Sequence, residues 1–166
     1  MSNYVAIVGG VVMQVFAIPQ HDPAPPGYAV IEDTDAAWVA YLAAQSAKAA
    51  IAAAQTAYNN LIAAGLTVTS TGTPAVDGTY ACDDAQQDIV TRIQAYITKN
   101  NAFPGGLSAV QLRKADGSGY IAIGTVALFQ AVGSAIADFV AKADEAELAV
   151  LAGGSWVAPS NAVTIA

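Results

Sequence analysis

From Asp35 to Ala64 the chain runs without proline or glycine, is dominated by alanine, and is closed by Gly65. Alanine has the best helix propensity, and glycine and proline the worst. The run therefore reads as one helix, about 45 Å long at ~1.5 Å per residue. A compact chain of this size has no need of so long an element. Alanine keeps the helix thin, so neighbours can approach closely, and few charges hold it in water. Such a helix suits a rod packed against copies of itself, with a different module at each end, better than it suits an enzyme pocket.

Composition sharpens that reading. Of 166 residues, 55% are hydrophobic and only 11% charged, against about 25% charged in ordinary soluble domains. A chain with so few ionic groups either spans a membrane or buries surface against other chains. The most apolar stretch, Gly119 to Phe139, is interrupted by Gly124, Thr125, Gln130, Ser134 and Asp138, whereas a spanning helix wants roughly 20 predominantly apolar residues. Membrane insertion is therefore not expected. The start, Met1-Ser2-Asn3-Tyr4, has no basic flank of the kind a secretion signal carries. The excess hydrophobicity is read as subunit interface.

The formal net charge is −7, and the six Lys and Arg are scattered, with only Arg113 and Lys114 adjacent. Nucleic-acid binding needs a clustered basic footprint, so none is expected. One cysteine, Cys82, excludes an internal disulfide framework and is consistent with synthesis in a cytoplasm.

Three segments follow from the pattern. Residues 1–32 hold a β-hairpin around Gly9-Gly10, a pair suited to a tight turn. A stiff connector then carries Pro23, Pro25, Pro26 and Gly27, and Ala29 to Glu32 is a candidate third strand. Residues 33–65 are the helix, with Asp33, Thr34 and Asp35 offering an N-cap. One helical stripe holds Trp38, Tyr41, Leu42 and Gln45; a second holds Ile51, Ala54, Tyr58, Leu61 and Ile62. Trp38, Tyr41, Leu42, Ile51, Tyr58, Leu61 and Ile62 are the expected oligomer interface, although no strict leucine heptad is present.

Residues 66–166 read as ββαββα, a small sheet covered by two helices. Leu66–Thr71 and Thr79–Cys82 are its first strands. Asp83 caps a helix from Asp84 to about Asn100, with Gln86 at the capping-box position and Ile89, Ile93, Tyr96 and Ile97 on its inner face. Ala109–Lys114 and Tyr120–Ile123 form a second hairpin around Asp116-Gly117-Ser118-Gly119. A last helix, about Thr125 to Leu151, aligns Leu128, Phe129, Val132, Ile136, Phe139 and Val140. Trp156 to Ile165 is a candidate terminal strand. The fold class expected is α+β.

Few residues suggest chemistry. Asp83, Asp84 and Asp88 lack the glycine-containing loop of a calcium motif and read as acidic residues at a helix N-terminus. His21, the only histidine, sits beside Asp22 in the connector, and Cys82 has no nucleophile-elbow pattern around it. No glycine-rich loop is followed by Gly-Lys-Ser or Gly-Lys-Thr. Lys142, Asp144, Glu145 and Glu147 read as a solvated helix face. Arg92, Lys99, Arg113 and Lys114 are too dispersed for an anion site, and a pairing of Arg113 or Lys114 is not legible. Neither metal nor cofactor is expected, and no enzymatic activity. Tyr120 and Trp156 fall on β segments and are candidate receptor contacts, set against ordinary ring packing.

The second half also resembles a known family. Thr79-Tyr80, Asp83-Asp84, Gln87, Ile89 and Ile93 resemble the opening of an uncharacterised domain common in bacteriophage and prophage tail proteins. Val110-Gln111-Leu112-Arg113 with Ala115-Asp116-Gly117 resembles its central hairpin, and Leu128, Val132, Ile136 and Val140 its closing helix. The likeness covers roughly Val76 to Leu151. The tryptophan usual before the Asp-Gly turn is absent, with Leu112 near its place. Tyr4 to Ile18 followed by Pro25 to Tyr28 is similar to the leader of phage tail-fibre and tail-accessory proteins. The resemblance implies a tail structural protein of the virion: a fibre, fibre adaptor or tail-attached protein, trimeric as fibres usually are, with other tail proteins as partners. Two other expectations stand beside it, an assembly chaperone not retained in the virion and a module binding a host surface glycan through its distal domain. The family carries no established catalytic or binding residues to transfer.

Overall fold

The computed structural model of the chain describes residues 2–16, 28–32 and 34–166, with the side chains of residues 2–4, 28 and 30–32 left out of account. His21 and the proline-rich connector lie outside the described residues, as does Asp33. The fold is α+β, and it forms two compact units, Met1–Ala52 and Ala53–Ala166. The division falls within the long helix, between Ala52 and Ala53.

In the first unit, β1 (Ser2–Val8) and β2 (Val11–Phe16) pair antiparallel around Gly9-Gly10. Both glycines have positive φ, 61° and 79°, as the tight hairpin turn requires. The candidate third strand forms as β3 (Tyr28–Glu32), antiparallel on the far side of β1, giving the order β2-β1-β3. One side of this sheet is covered by the start of α1 (Ala36–Ala64), where Val5, Val12 and Trp38 are buried together. Trp38 also stacks on Tyr41, ring centroids 5.4 Å apart. Asp35 caps the helix as its type suggests: its Oδ1 accepts the Ala37 N–H at 2.8 Å.

The second unit contains β4 (Leu66–Ser70), β5 (Gly78–Tyr80), α2 (Asp84–Asn100), β6 (Val110–Arg113), β7 (Tyr120–Ile123), α3 (Val126–Leu151) and β8 (Ala162–Ile165). The expected ββαββα order is present, followed by the terminal strand. The single sheet is not. β8 returns parallel to β4, giving β5-β4-β8, while β6-β7 is a separate hairpin. One bridge, Tyr80 to Lys114, joins the two, flanked by Ala81 N–H to Arg113 O and Ala115 N–H to Thr79 O. The core between sheets and helices holds Leu66, Val68, Tyr80, Leu112, Ile123, Phe129, Val132, Ile136 and Phe139. Tyr80 is fully buried, and its hydroxyl donates to Val76 O at 2.6 Å.

The expected face of α2 packs on the core through Ile89, Ile93 and Ile97 but is shifted toward Val90. Gln86, Val90 and Ile97 are buried, Ile89 and Ile93 are half-buried, and Tyr96 is 39% exposed. Gly133 of α3 explains the shift, because a Cβ there would meet Gln94 Nε2 at 2.5 Å and Val90 Cγ1 at 3.0 Å. The two helices touch where α3 has no side chain, and that contact draws the Val90 side of α2 inward. α3 matches its expected stripe. It is the one described helix long and apolar enough to cross a membrane by length and composition, yet Phe129, Val132, Ile136, Phe139 and Val140 face the core of this unit.

Gly65 fixes the exit from α1. Its φ is +75°, its N–H bonds Leu61 O and Ile62 O at 3.2 Å, and a Cβ would strike Tyr80 O and lie 2.7 Å from Ala115 Cβ. Strain and overlap act together there. Gly65→Ala is expected to destabilise the fold by about 2–4 kcal/mol, read as a lowered urea midpoint; an unchanged midpoint contradicts this account of the helix end.

Candidate functional site

Chemistry-bearing groups come first. Asp83 is the N-cap of α2, its Oδ1 accepting the Gln86 N–H at 3.0 Å. Its Oδ2 pairs with the Arg113 guanidinium on β6, so the dispersed Arg113 has a partner in its own chain. The reciprocal half of the capping box is absent. Gln86 turns inward, 2% exposed, and its Oε1 accepts the Arg113 N–H at 3.3 Å, leaving Nε2 without a partner. α2 is thereby tied to β6 through both the side chain and the backbone of Arg113.

Partial burial pushes the Asp83 carboxyl upward, but the Arg113 hydrogen bond, the Gln86 N–H and the Arg113 charge outweigh it and hold it below the usual carboxylate range. Asp84 and Asp88 are exposed on the first turns, and no group of three His, Cys, Asp or Glu able to hold a metal occurs among the described residues. Cys82 is fully buried, its thiol pushed up to about 11, chiefly by burial, which removes the thiolate a nucleophile needs. A cleft of about 560 Å³ is lined by residues including Asp77, Thr79, Lys114 and Asp116. Asp77 is already engaged there by the Ser70 N–H at 2.6 Å, and the Thr79 hydroxyl shares a hydrogen bond with that of Thr67 at 3.0 Å.

The expected interface residues divide by environment. Trp38 is 8% exposed and packs on its own sheet. Leu61 and Ile62 are half-buried against the core of the second unit. Tyr58 donates to Asp144 on α3 at 2.9 Å, and burial first, then that carboxylate, raises its hydroxyl to about 12. These four are therefore occupied, wholly or in part, within the chain; the sequence shows that a helix stripe is apolar but not which neighbour covers it. Leu42 is 47% exposed, with Val39 at 52% beside it, and Tyr41 and Ile51 are half-buried. Tyr120 is 63% exposed on β7, and Trp156 is half-buried in the segment after α3.

What stands open is α1 itself. Every residue from Leu42 to Ala50 is exposed, and Lys48 is the helix's only charged side chain. Val8, Val11 and Met13, each more than half exposed, add apolar surface on the strands. Between β2 and α1 lies a groove of about 390 Å³ lined by Gly10, Val11, Val12, Met13, Ala37, Ala40, Tyr41, Ala44, Gln45 and Lys48. The stripe of Trp38, Tyr41, Leu42 and Gln45 shares Tyr41 and Gln45 with the helix wall of this groove. The further signal of that wall was alanines 37, 40 and 44, at three- and four-residue steps.

Comparison of the chain with protein-family models, with curated proteins and with solved structures finds no match.

The Asp83–Arg113 pair yields a measurable pH dependence. A folded carboxyl held below its unfolded value contributes stability that is fully present above about pH 4 and is lost as pH falls through the folded value. Asp83→Asn keeps a competent cap but removes the charge. The variant is expected to be less stable than wild type at pH 6 by up to about 1 kcal/mol, the pair being half exposed. The gap should narrow in urea titrations as pH falls below about 4; a gap independent of pH contradicts the pairing.

Proposed function

We propose that the chain is a structural component of a bacteriophage tail (fibre, fibre adaptor or tail-attached protein) that assembles on the virion with copies of itself. The observation carrying the assembly part is α1, where an uncovered alanine-rich surface has one charge along its length. A helix that is apolar on all sides belongs in an interior, and the chain leaves Leu42 to Ala50 uncovered, while Ile51, Ala54 and Tyr58 are covered wholly or in part within it. The tail assignment is supported by the resemblance of Thr79 to Ile93, Val110 to Gly117 and Leu128 to Val140 to phage tail proteins. Other tail proteins are its proposed neighbours in the particle, and trimeric order is carried by the resemblance alone. The role is structural, not enzymatic, in keeping with an inert Cys82 and an Asp83 occupied by capping and pairing. Tyr120, the most exposed ring of the second unit, keeps a host glycan as the proposed distal ligand.

Two measurements test the proposal. Sedimentation at micromolar concentration is expected to give a species of at least twice the 16.8 kDa chain mass; a stable monomer overturns self-assembly. Mass spectrometry of purified particles is expected to find the chain in stoichiometric amount. Its absence from particles, with oligomers still forming, assigns it instead as an assembly chaperone.

A further inference from the structure

In the first unit, α1 passes beside a strand edge. Among the described residues β2 pairs only with β1, and its other edge borders the groove whose helix wall is Ala37, Ala40, Tyr41, Ala44, Gln45 and Lys48. Three alanines make that wall low, which lets a second helix approach closely. Val11 and Met13, 58% and 65% exposed, stand beside it on the strand.

The helix wall is complementary to itself when reversed. An antiparallel copy with its two-fold axis between Leu42 and Ala43 places Tyr41 opposite Ala44, Ala40 opposite Gln45 and Ala37 opposite Lys48. At each level a large side chain meets a small one. In a parallel pair the same wall would set Tyr41 against Tyr41 and leave alanine against alanine, so the spacing between helices would have to change from turn to turn.

Charge selects the same orientation. Lys48 is the only Lys or Arg before Arg92, and the exposed Asp35 carboxylate caps the start of the helix. The two lie about 20 Å apart along the axis. Reversal brings each Lys48 to the end of the partner helix where Asp35 sits. Parallel packing would put lysine beside lysine and aspartate beside aspartate.

We infer that this groove is the docking site for a second copy of the chain, packed antiparallel across a two-fold axis with Tyr41 against Ala44 and Lys48 beside the partner's Asp35. The inference rests on the reading that the chain assembles with itself, and it replaces the trimeric order drawn from resemblance with a dimer.

Site-directed cross-linking of the full chain tests it. Ala40 and Gln45 are exposed, and the native Cys82 is buried, so it stays silent. Chains carrying Ala40→Cys and chains carrying Gln45→Cys are expected to form disulfide dimers when refolded together and to remain unlinked when each is oxidised alone. Lys48→Glu, which places like charges at both ends of the contact, is expected to weaken dimerisation at least about tenfold by sedimentation, with unchanged far-UV circular dichroism. Either cysteine variant cross-linking by itself overturns the antiparallel arrangement. Wild type that oligomerises while the mixture stays unlinked and Lys48→Glu has no effect overturns the groove but leaves self-assembly standing. Monomeric wild type overturns both.

Discussion

The arrangement depends on a helix that each unit anchors on its own, with an exposed run from Leu42 to Ala50. Trp38 joins Val5 and Val12 beneath the first sheet, while Leu61 and Ile62 reach the core of the second unit. Between these anchors Ala54 is buried and Ile51 and Tyr58 are half-buried, whereas every residue from Leu42 to Ala50 is exposed, Lys48 among them. Helix propensity alone can sustain that stretch, since alanine gives up no side-chain entropy on folding. It cannot make the stretch well hydrated. The chain thus uses its favourable local conformation to project a surface its own core does not require.

The second unit has an ordinary economy by comparison. Its two sheets meet at a single bridge, Tyr80 to Lys114, and that weak backbone link is reinforced from α2. Asp83 holds the Arg113 side chain, and Gln86 holds the Arg113 N–H. Both α2 residues sit at the helix start because capping already fixes their positions, so one turn of helix sets the place of the β6-β7 hairpin. Gly65 acts at the neighbouring edge, where the exit of α1 passes against Tyr80 O and Ala115 with no room for a methyl group. These contacts converge on the segment 79–81 and 113–115, where helix end, strand and hairpin are brought together.

Much of this was legible in the sequence, for physical reasons that also explain the misses. Turn glycines, Asp83 as a cap and the 3.6-residue stripe of α3 act locally, and each element appears where its residues place it. Sheet partnership is not local. Nothing in Ala162 to Ile165 indicates that it pairs parallel with Thr67 to Ser70, nor that Arg113 meets an aspartate thirty positions earlier. On α2 the isoleucines of the expected face do pack on the core, but Tyr96 stays exposed and Val90 is drawn in, because Gly133, which decides that contact, lies on another helix. For α1 the aromatic stripe was read correctly as apolar, but Trp38 serves its own sheet. The groove side shares Tyr41 and Gln45 with that stripe, and alanines 37, 40 and 44 line it beside them.

The small residues also set the length that such a contact needs. Burying a methyl or methylene group contributes about 0.8 kcal/mol, and each alanine has little more than that to offer. A contact made of leucines gains several-fold more per turn, so a short seam suffices for them. An alanine seam must extend over several turns before it offsets the lost freedom of two associating chains, about 4–15 kcal/mol. Close approach helps, because thin helices bring backbone atoms into dispersion range as well. On the proposed self-assembly, the stretch from Ala37 to Lys48 supplies about three turns of such a seam, and the remainder of the 29-residue helix is covered in part by its own chain.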